Sequence, residues 1–409
     1  MRRLLILGAG TAGTIMANKL RKDLPTHAWE ITIVDEDREH LYQPGLLFIP
    51  FGIYKKEDVL KPKANFLPRG VNRIFEGFQK IEPESNKVIL NSGKELHYDL
   101  LIIATGTRVA PEETPGLKGE LWYKDVFDFY TLEGSLALAR KLRDWEGGKL
   151  VVNIADMPIK CPVAPLEFAF LADWFFQERG IRDKVEIYYV TPMSGAFTKP
   201  KASAILSGIL EQKHIHVIGD FFLGEVNNEE KKIVDFGGAE VDFDLLVSVP
   251  LHMGQQAIID SGIGDDFGFV PTDKFTLQAR DHENIFVLGD ASNIPTSKAG
   301  SVVHFASEVL HENILCAIDG RPMTANFDGH ANCYIETGFG NAALLDFNYD
   351  TEPTTGTFPL PGVGPFTLLS ESKANHYGKL IFRWIYWHIL LKGKELPVSN
   401  KMSLAGKDI

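Results

Sequence analysis

The stretch that most narrows what this chain can fold into is its beginning, where a short apolar strand, Arg3-Leu-Leu-Ile-Leu-Gly8, runs into a GxGxxG turn made by Gly8, Gly10 and Gly13. A helix-like segment, Thr14 to Leu24, follows, and then a second strand, Glu30-Ile-Thr-Ile-Val34, that ends on Asp35. Each part has a physical reason. Gly8 permits the tight turn, Gly10 lets the backbone approach a pyrophosphate, and Gly13 lets helix and strand pack closely. The helix N-terminus, with Thr11 and Ala12 in the turn, supplies amides and a partial positive charge for phosphates. Asp35, followed by Glu36, can accept the ribose hydroxyls. The expectation is a dinucleotide-binding βαβ unit.

Two later segments separate FAD from NAD. Asp99-Leu-Leu-Ile-Ile-Ala-Thr-Gly106 is an apolar strand ending in the Thr105-Gly106 turn, and Asn284-Ile-Phe-Val-Leu-Gly-Asp290 is another, ending in Gly289-Asp290. They resemble the ATG and GD segments of the flavoprotein disulfide reductase superfamily, a resemblance that implies a ribityl contact for Asp290. FAD extends across its domain and needs this second contact.

The middle of the chain repeats the opening pattern. Lys149-Leu-Val-Val-Asn-Ile154 parallels the first strand, Val185-Glu-Ile-Tyr-Tyr-Val190 the second, and Phe243 to Pro250 parallels Tyr98 to Thr105. This predicts an α/β fold with two Rossmann-like dinucleotide-binding domains, the second inserted in the first. Residues 1–115 and 280–330 form the FAD-binding domain, 116–279 the second domain, and 331–409 a C-terminal part. The loop after Ile154 carries Met157, Pro158 and Pro162 in place of glycines. The side chains add bulk and proline lacks a donor amide, so this loop is not expected to hold NAD(P)H.

With these segments in view, the chain resembles sulfide:quinone oxidoreductases and the flavoprotein subunit of flavocytochrome c sulfide dehydrogenases. The resemblance rests on the N-terminal GAGTAG, on Tyr42-Gln43-Pro44, on Lys160-Cys161-Pro-Val-Ala-Pro-Leu-Glu167, on Gly289-Asp290, and on Cys333 in Ala-Asn-Cys-Tyr-Ile-Glu-Thr-Gly. It implies FAD as cofactor with Gln43 among its contacts, and Cys161 and Cys333 as a redox pair beside it. Hydrosulfide attacks a disulfide by ordinary exchange, one cysteine then carries a persulfide, and the other leaves as a thiolate able to reduce the flavin. Electrons then pass to a quinone. Glu167 is a candidate proton shuttle, or an acid opening a helix. Lys298 is a candidate for stabilising reduced flavin, or a solvated lysine. Cys316, in the amphipathic segment Ser307–Ile318, reads as a core residue. The chain departs from the family in lacking a cysteine near Asp125–Asp128 and a histidine in Thr191–Lys199; His214, His216, His252 and His304 read as structural.

The tail stands apart from the rest. The chain carries a net charge of −12, which argues against a nucleic-acid partner. From Lys373 onward, however, seven basic residues face two acids. Tyr377, Leu380, Ile381, Trp384, Ile385 and His388 recur there at helical spacing. This composition suits a monotopic helix lying on a bilayer surface, with Phe382, Trp384, Ile385 and Trp387 in contact with lipid. The competing readings are a core helix or the dimerisation helix of a homo-oligomer. Phe339, Phe366 and Tyr377 are candidates for lining a quinone channel. Arg2 and Arg3 lead straight into the first strand, so no signal peptide is read, and a peripheral place at the cell membrane is expected. No metal-ligand spacing is seen among the three cysteines. The other readings to be weighed are a type II NADH:quinone oxidoreductase, a cytochrome-linked sulfide dehydrogenase subunit, and a flavoprotein without catalysis.

Overall fold

The computed structural model describes residues 1–360, 362–396 and 398–408 of the 409. Its first sheet is parallel throughout. β1 (Arg2–Leu7), β2 (Trp29–Val34), β3 (Val71–Ile74) and β4 (Leu100–Ile103) lie in the order β4-β1-β2-β3, and the strand Ile285–Val287 pairs with the outer edge of β4. Leu4 to Leu7 and Leu101 to Ile103 are buried, the continuous apolar pattern of strands covered on both faces. Between β1 and β2 runs α1 (Thr11–Asp23). The turn joining β1 to α1 needs glycine for reasons that can be measured. Gly8 has φ of +95°, and a Cβ on it would meet the Ala104 carbonyl oxygen at 2.3 Å. A Cβ on Gly13 would stand 1.8 Å from the Gly8 oxygen.

The second sheet is built the same way. β5 (Gly148–Ile154), β6 (Val185–Val190), β7 (Ile215–Ile218) and β8 (Leu245–Val249) lie in the order β8-β5-β6-β7, all parallel, with Val126–Phe127 beside β8. In sequence all these strands fall between β4 and Ile285–Val287, two neighbours in the first sheet. α2 (Ala164–Glu178) follows β5 as α1 follows β1. It is apolar on nearly every side, which suits a helix covered all round.

After α3 (Gly300–Ile318), whose inner face buries Cys316, comes a four-stranded sheet that the amino-acid pattern does not announce. β9 (Ala331–Gly338), β10 (Asn341–Phe347), β11 (Gly356–Leu360) and β12 (Gly364–Leu368) are ordered β9-β10-β12-β11. β9 packs on α2, so the C-terminal sheet closes over the second one. α4 (Lys373–His388) is capped by the Ser372 hydroxyl, which accepts from the Asn375 amide, and packs on β10.

The faces of α4 correct part of the lipid-contact expectation. Tyr377, Ile381 and Trp384 are 60 %, 56 % and 58 % exposed and form one stripe, with His388 beyond them. Trp387 is buried instead, stacked on Phe66 at 5.1 Å, with the Lys61 ammonium 4.7 Å from its ring. Phe382 and Ile385 are half-buried against the core. The 3.6-residue period separates these positions from the outward stripe. No helix among the described residues is long and apolar enough to cross a membrane.

Candidate active site

The loop between β5 and α2 carries Cys161, which has φ of +45°, a left-handed conformation rare for a residue with a side chain. It is held there from both sides. Its amide donates to the Lys298 carbonyl at 3.0 Å, and its own carbonyl accepts from the Ala164 amide at 2.9 Å and the Tyr130 hydroxyl at 3.1 Å. Strain of this kind, about 1–3 kcal/mol, persists where the surroundings over-determine it, commonly at functional sites. Burial pushes the Cys161 thiol up to about 12, Glu167 pushes it in the same direction, and Lys379 opposes them. Cys333, on β9, is buried too. Desolvation raises its thiol well above the ordinary value, with Cys161 and Glu167 adding to the effect and Lys379 again opposing it. The two cysteines therefore share one low-dielectric site and the same two charged neighbours. Both are free thiols.

Glu167 lies in the first turn of α2 and is buried. Its Oε1 accepts from the Glu336 amide of β9 at 2.7 Å and from the Lys379 ammonium of α4. Lys379 also donates to the Tyr334 carbonyl at 3.1 Å. Desolvation raises Glu167 to about 7, despite Lys379, so the group holds or releases a proton near neutrality. The Glu336 carboxylate is raised by burial and lies 2.9 Å from His376 Nδ1. His376 is 22 % exposed at its side chain. A chain of titratable groups thus leads from the cysteines to the surface: Glu167, Lys379, Glu336, His376.

The other end of the site is the glycine turn. Space around Gly10 is open to 4 Å. The Asp35 carboxylate accepts from the Ala9 amide at 2.6 Å and from Lys63 at 2.5 Å, which fixes it beside that turn. Glu36 packs near Gly77. Thr105 and Thr107 carry buried hydroxyls with no partner among the described residues, and Gln43 Oε1 accepts from the buried Lys160 ammonium at 2.9 Å. Partnerless buried hydroxyls are costly and call for a ligand or water. These features fit an elongated dinucleotide running from Gly10 past Thr105 toward Cys161.

The family model for pyridine nucleotide-disulphide oxidoreductases matches residues 2–154. A mitochondrial sulfide:quinone oxidoreductase from Dictyostelium discoideum is 28 % identical over 402 residues, covering 96 % of this chain and 86 % of its own. The chain is similar to the sulfide:quinone oxidoreductases over nearly its whole length. The solved structure of the sulfide:quinone oxidoreductase from Aquifex aeolicus has the same α/β fold, with a TM-score of 0.79 at 22 % identity, covering 96 % of this chain and 92 % of that one. A type II NADH:quinone oxidoreductase from Staphylococcus aureus is 33 % identical, but over only 119 residues, 29 % of either chain.

Among the residues singled out from the sequence, the fold brings Cys161, Cys333 and Glu167 together. Lys298 is placed differently from a free cation. Its ammonium donates to the Asp290 and Ser292 carbonyls, both at 2.8 Å, and lies 3.9 Å from the Phe269 ring, with burial lowering it to about 8. It ties the Gly289–Asp290 turn to the Cys161 loop. Phe339 stands at the far end of β9 from Cys333, 44 % exposed and under the Lys213 ammonium at 4.8 Å. Phe366 packs edge-on against Tyr334 at 5.7 Å, beside Gly378. Tyr377 faces outward. Sequence reasoning missed Lys379, Glu336 and His376. Lys379 and His376 were visible only as members of an amphipathic helix, and the acid within Cys333-Tyr-Ile-Glu336 was the one available signal. Near the Pro-containing loop, Met157, Pro162, Phe197, Phe269 and Tyr349 line a cavity of 350 Å³.

Proposed function

We propose that the chain is an FAD-dependent oxidoreductase that takes two electrons from sulfide through Cys161 and Cys333 and passes them to a quinone at a membrane surface. The observation that carries this reading is the burial of both cysteines in one site beside the Glu167–Lys379 pair. FAD, when bound, supplies the two-electron acceptor between sulfide and quinone. Hydrosulfide attacks the disulfide form of the pair. The Cys161–Cys333 bond breaks, a bond to the incoming sulfur forms, and one cysteine becomes a persulfide while the other is released as a thiolate. A thiolate in a site that raises its pKa so far is high in free energy and gives up its electron pair readily. Lys379 is the cation that keeps this state accessible. Glu167, balanced near neutral pH, exchanges the protons that quinone reduction consumes.

An NADH-dependent reading fits less well. The first turn of α2 has few donors to offer a pyrophosphate: the Ala164 amide is taken by the Cys161 carbonyl, Pro165 has none, and the Glu167 amide bonds Val163. The Glu167 carboxylate in that turn would also repel a phosphate if ionised. On α4, the stripe of Tyr377, Ile381 and Trp384, with Lys373, Lys392 and Lys394 exposed nearby, supports a helix lying on an anionic bilayer, a peripheral rather than a spanning attachment. The division into 1–115 with 280–330, 116–279 and 331–409 is supported by the nesting of one sheet's strands within the other's sequence. Anaerobic mixing of the holoprotein with sulfide or with NADH, followed by flavin absorbance, tests the function. Rapid bleaching by sulfide and none by NADH is expected; the reverse overturns it.

A further inference from the structure

The C-terminal helix touches the glycine turn directly. Tyr386, in α4, lies 375 positions from Thr11, the first residue of α1, yet its hydroxyl is 2.6 Å from Thr11 Oγ1. The same hydroxyl lies 2.6 Å from His40 Nε2. Tyr386 and His40 are both buried, at 2 % and 1 % exposure. Burial lowers the imidazole to about 3, so it is neutral at working pH. Among the described residues its Nδ1 has no side-chain hydrogen-bond partner, and a proton on Nε2 leaves there an unpaired acceptor rather than a costlier unpaired donor.

With the proton on Nε2 the row has one direction: His40 Nε2–H donates to the Tyr386 oxygen, Tyr386 O–H donates to Thr11 Oγ1, and Thr11 keeps its own proton to donate. Thr11 opens α1 immediately after Gly10, where the surroundings are open and the helix end favours an anion. Hydrogen bonds in a row polarise one another, so a neutral imidazole at the far end strengthens the last donor. The ring of Tyr386 is fixed independently, 4.7 Å from Tyr42 and 5.2 Å from Trp387.

We infer that Tyr386 is a positioning residue of the cofactor site: through Thr11 it aims a hydroxyl donor at the FAD pyrophosphate, so that seating of the C-terminal helix and retention of FAD are coupled. The inference rests on FAD being the cofactor. Coupling of this kind is reciprocal, since whatever strengthens one contact strengthens the other.

The test is release of FAD from the full-length holoprotein on dilution, read by flavin fluorescence, for wild type, Y386F, T11V and the double variant. Y386F keeps the ring packing and removes only the hydroxyl. T11V, which removes the donor to the charged pyrophosphate, should raise the Kd for FAD about ten-fold, and Y386F, which leaves that donor present but unaimed, by about three- to ten-fold. The double variant should lie within about two-fold of T11V alone, because Tyr386 acts only through Thr11. Effects that multiply, or a Y386F Kd within two-fold of wild type, overturn the inference. If Y386F does not accumulate as folded protein, H40N cuts the row at its far end; several-fold weaker retention is expected, and unchanged retention overturns the inference. A wild-type protein that carries no flavin refutes the FAD reading itself, a distinct result.

Discussion

Glu167 in the first turn of α2 and Lys379 in α4, 212 positions apart, form an ion pair buried to 2 % and 12 % side-chain exposure. The pair joins the helix after the degenerate loop to the helix proposed to meet the membrane, and it lies beside both cysteines. Removing one partner of such a pair typically costs about 3–5 kcal/mol where the remaining charge cannot be neutralised. Glu167, already at about 7, takes up a proton when its cation is lost, so K379M should approach that cost only well above pH 7 and cost less below it, measured by denaturant unfolding across that range. A loss below about 1 kcal/mol at the alkaline end would show the pair to be solvated.

The pH dependence has a definite sign. Glu167 sits at about 7 in the folded protein, against 4.5 as its ordinary value. A raised acid favours folding in its protonated form, so its contribution is complete below pH 4.5 and is lost as pH rises through 7. Relative to E167Q, the wild type should lose about 3 kcal/mol of stability across that window. Unfolding curves for both proteins at several pH values measure this; parallel curves would mean that Glu167 is ionised throughout.

The same substitution separates the two half-reactions. E167Q should slow re-oxidation of the reduced enzyme by a soluble quinone by about 10²-fold, the lower end of what a positioned acid contributes. Reduction by sulfide should change far less, because the cysteines carry it. Stopped-flow absorbance resolves the two phases. Equal slowing of both would assign Glu167 to the sulfur chemistry instead.

Two tryptophans three residues apart should behave differently. Trp384 is 58 % exposed and Trp387 is 2 % exposed. I381E with W384E should cut binding to anionic vesicles about ten-fold or more while leaving turnover of water-soluble quinones intact. W387A should instead destabilise the fold by about 3–5 kcal/mol, as deletion of a large core aromatic does. Vesicle flotation and thermal unfolding distinguish them.

What could be read in the sequence followed from whether the cause was local. The need for glycine at Gly13 comes from its contact with the Gly8 oxygen five residues back, and Gly8 is marked by its own positive φ, so the pattern announces both even though the oxygen crowding Gly8 belongs to distant Ala104. The apolar runs of β1 and β4 reappear in β5 and β8 because parallel strands covered on both faces leave little choice of residue. Lys379 was not legible. A lysine on an amphipathic basic tail has the same local pattern whether it faces lipid headgroups or a carboxylate contributed by a distant helix. Trp387 misled for the same reason, since its stacking partner Phe66 is far away in sequence. The β9–β12 sheet is hard to read because glycines and prolines interrupt β11 and β12 and blur the alternation that marks a strand.

The most direct test of the central claim is the fate of the two sulfurs during a single turnover. Holoprotein given one equivalent of sulfide and oxidised quinone, then alkylated and digested, can be read by mass spectrometry of the peptides containing Cys161, Cys316 and Cys333. An added sulfur atom on Cys161 or Cys333, with Cys316 unmodified and the reaction abolished in both C161S and C333S, is the predicted result. Sulfide oxidation that proceeds with both cysteines unmodified, or that survives either substitution, would contradict it.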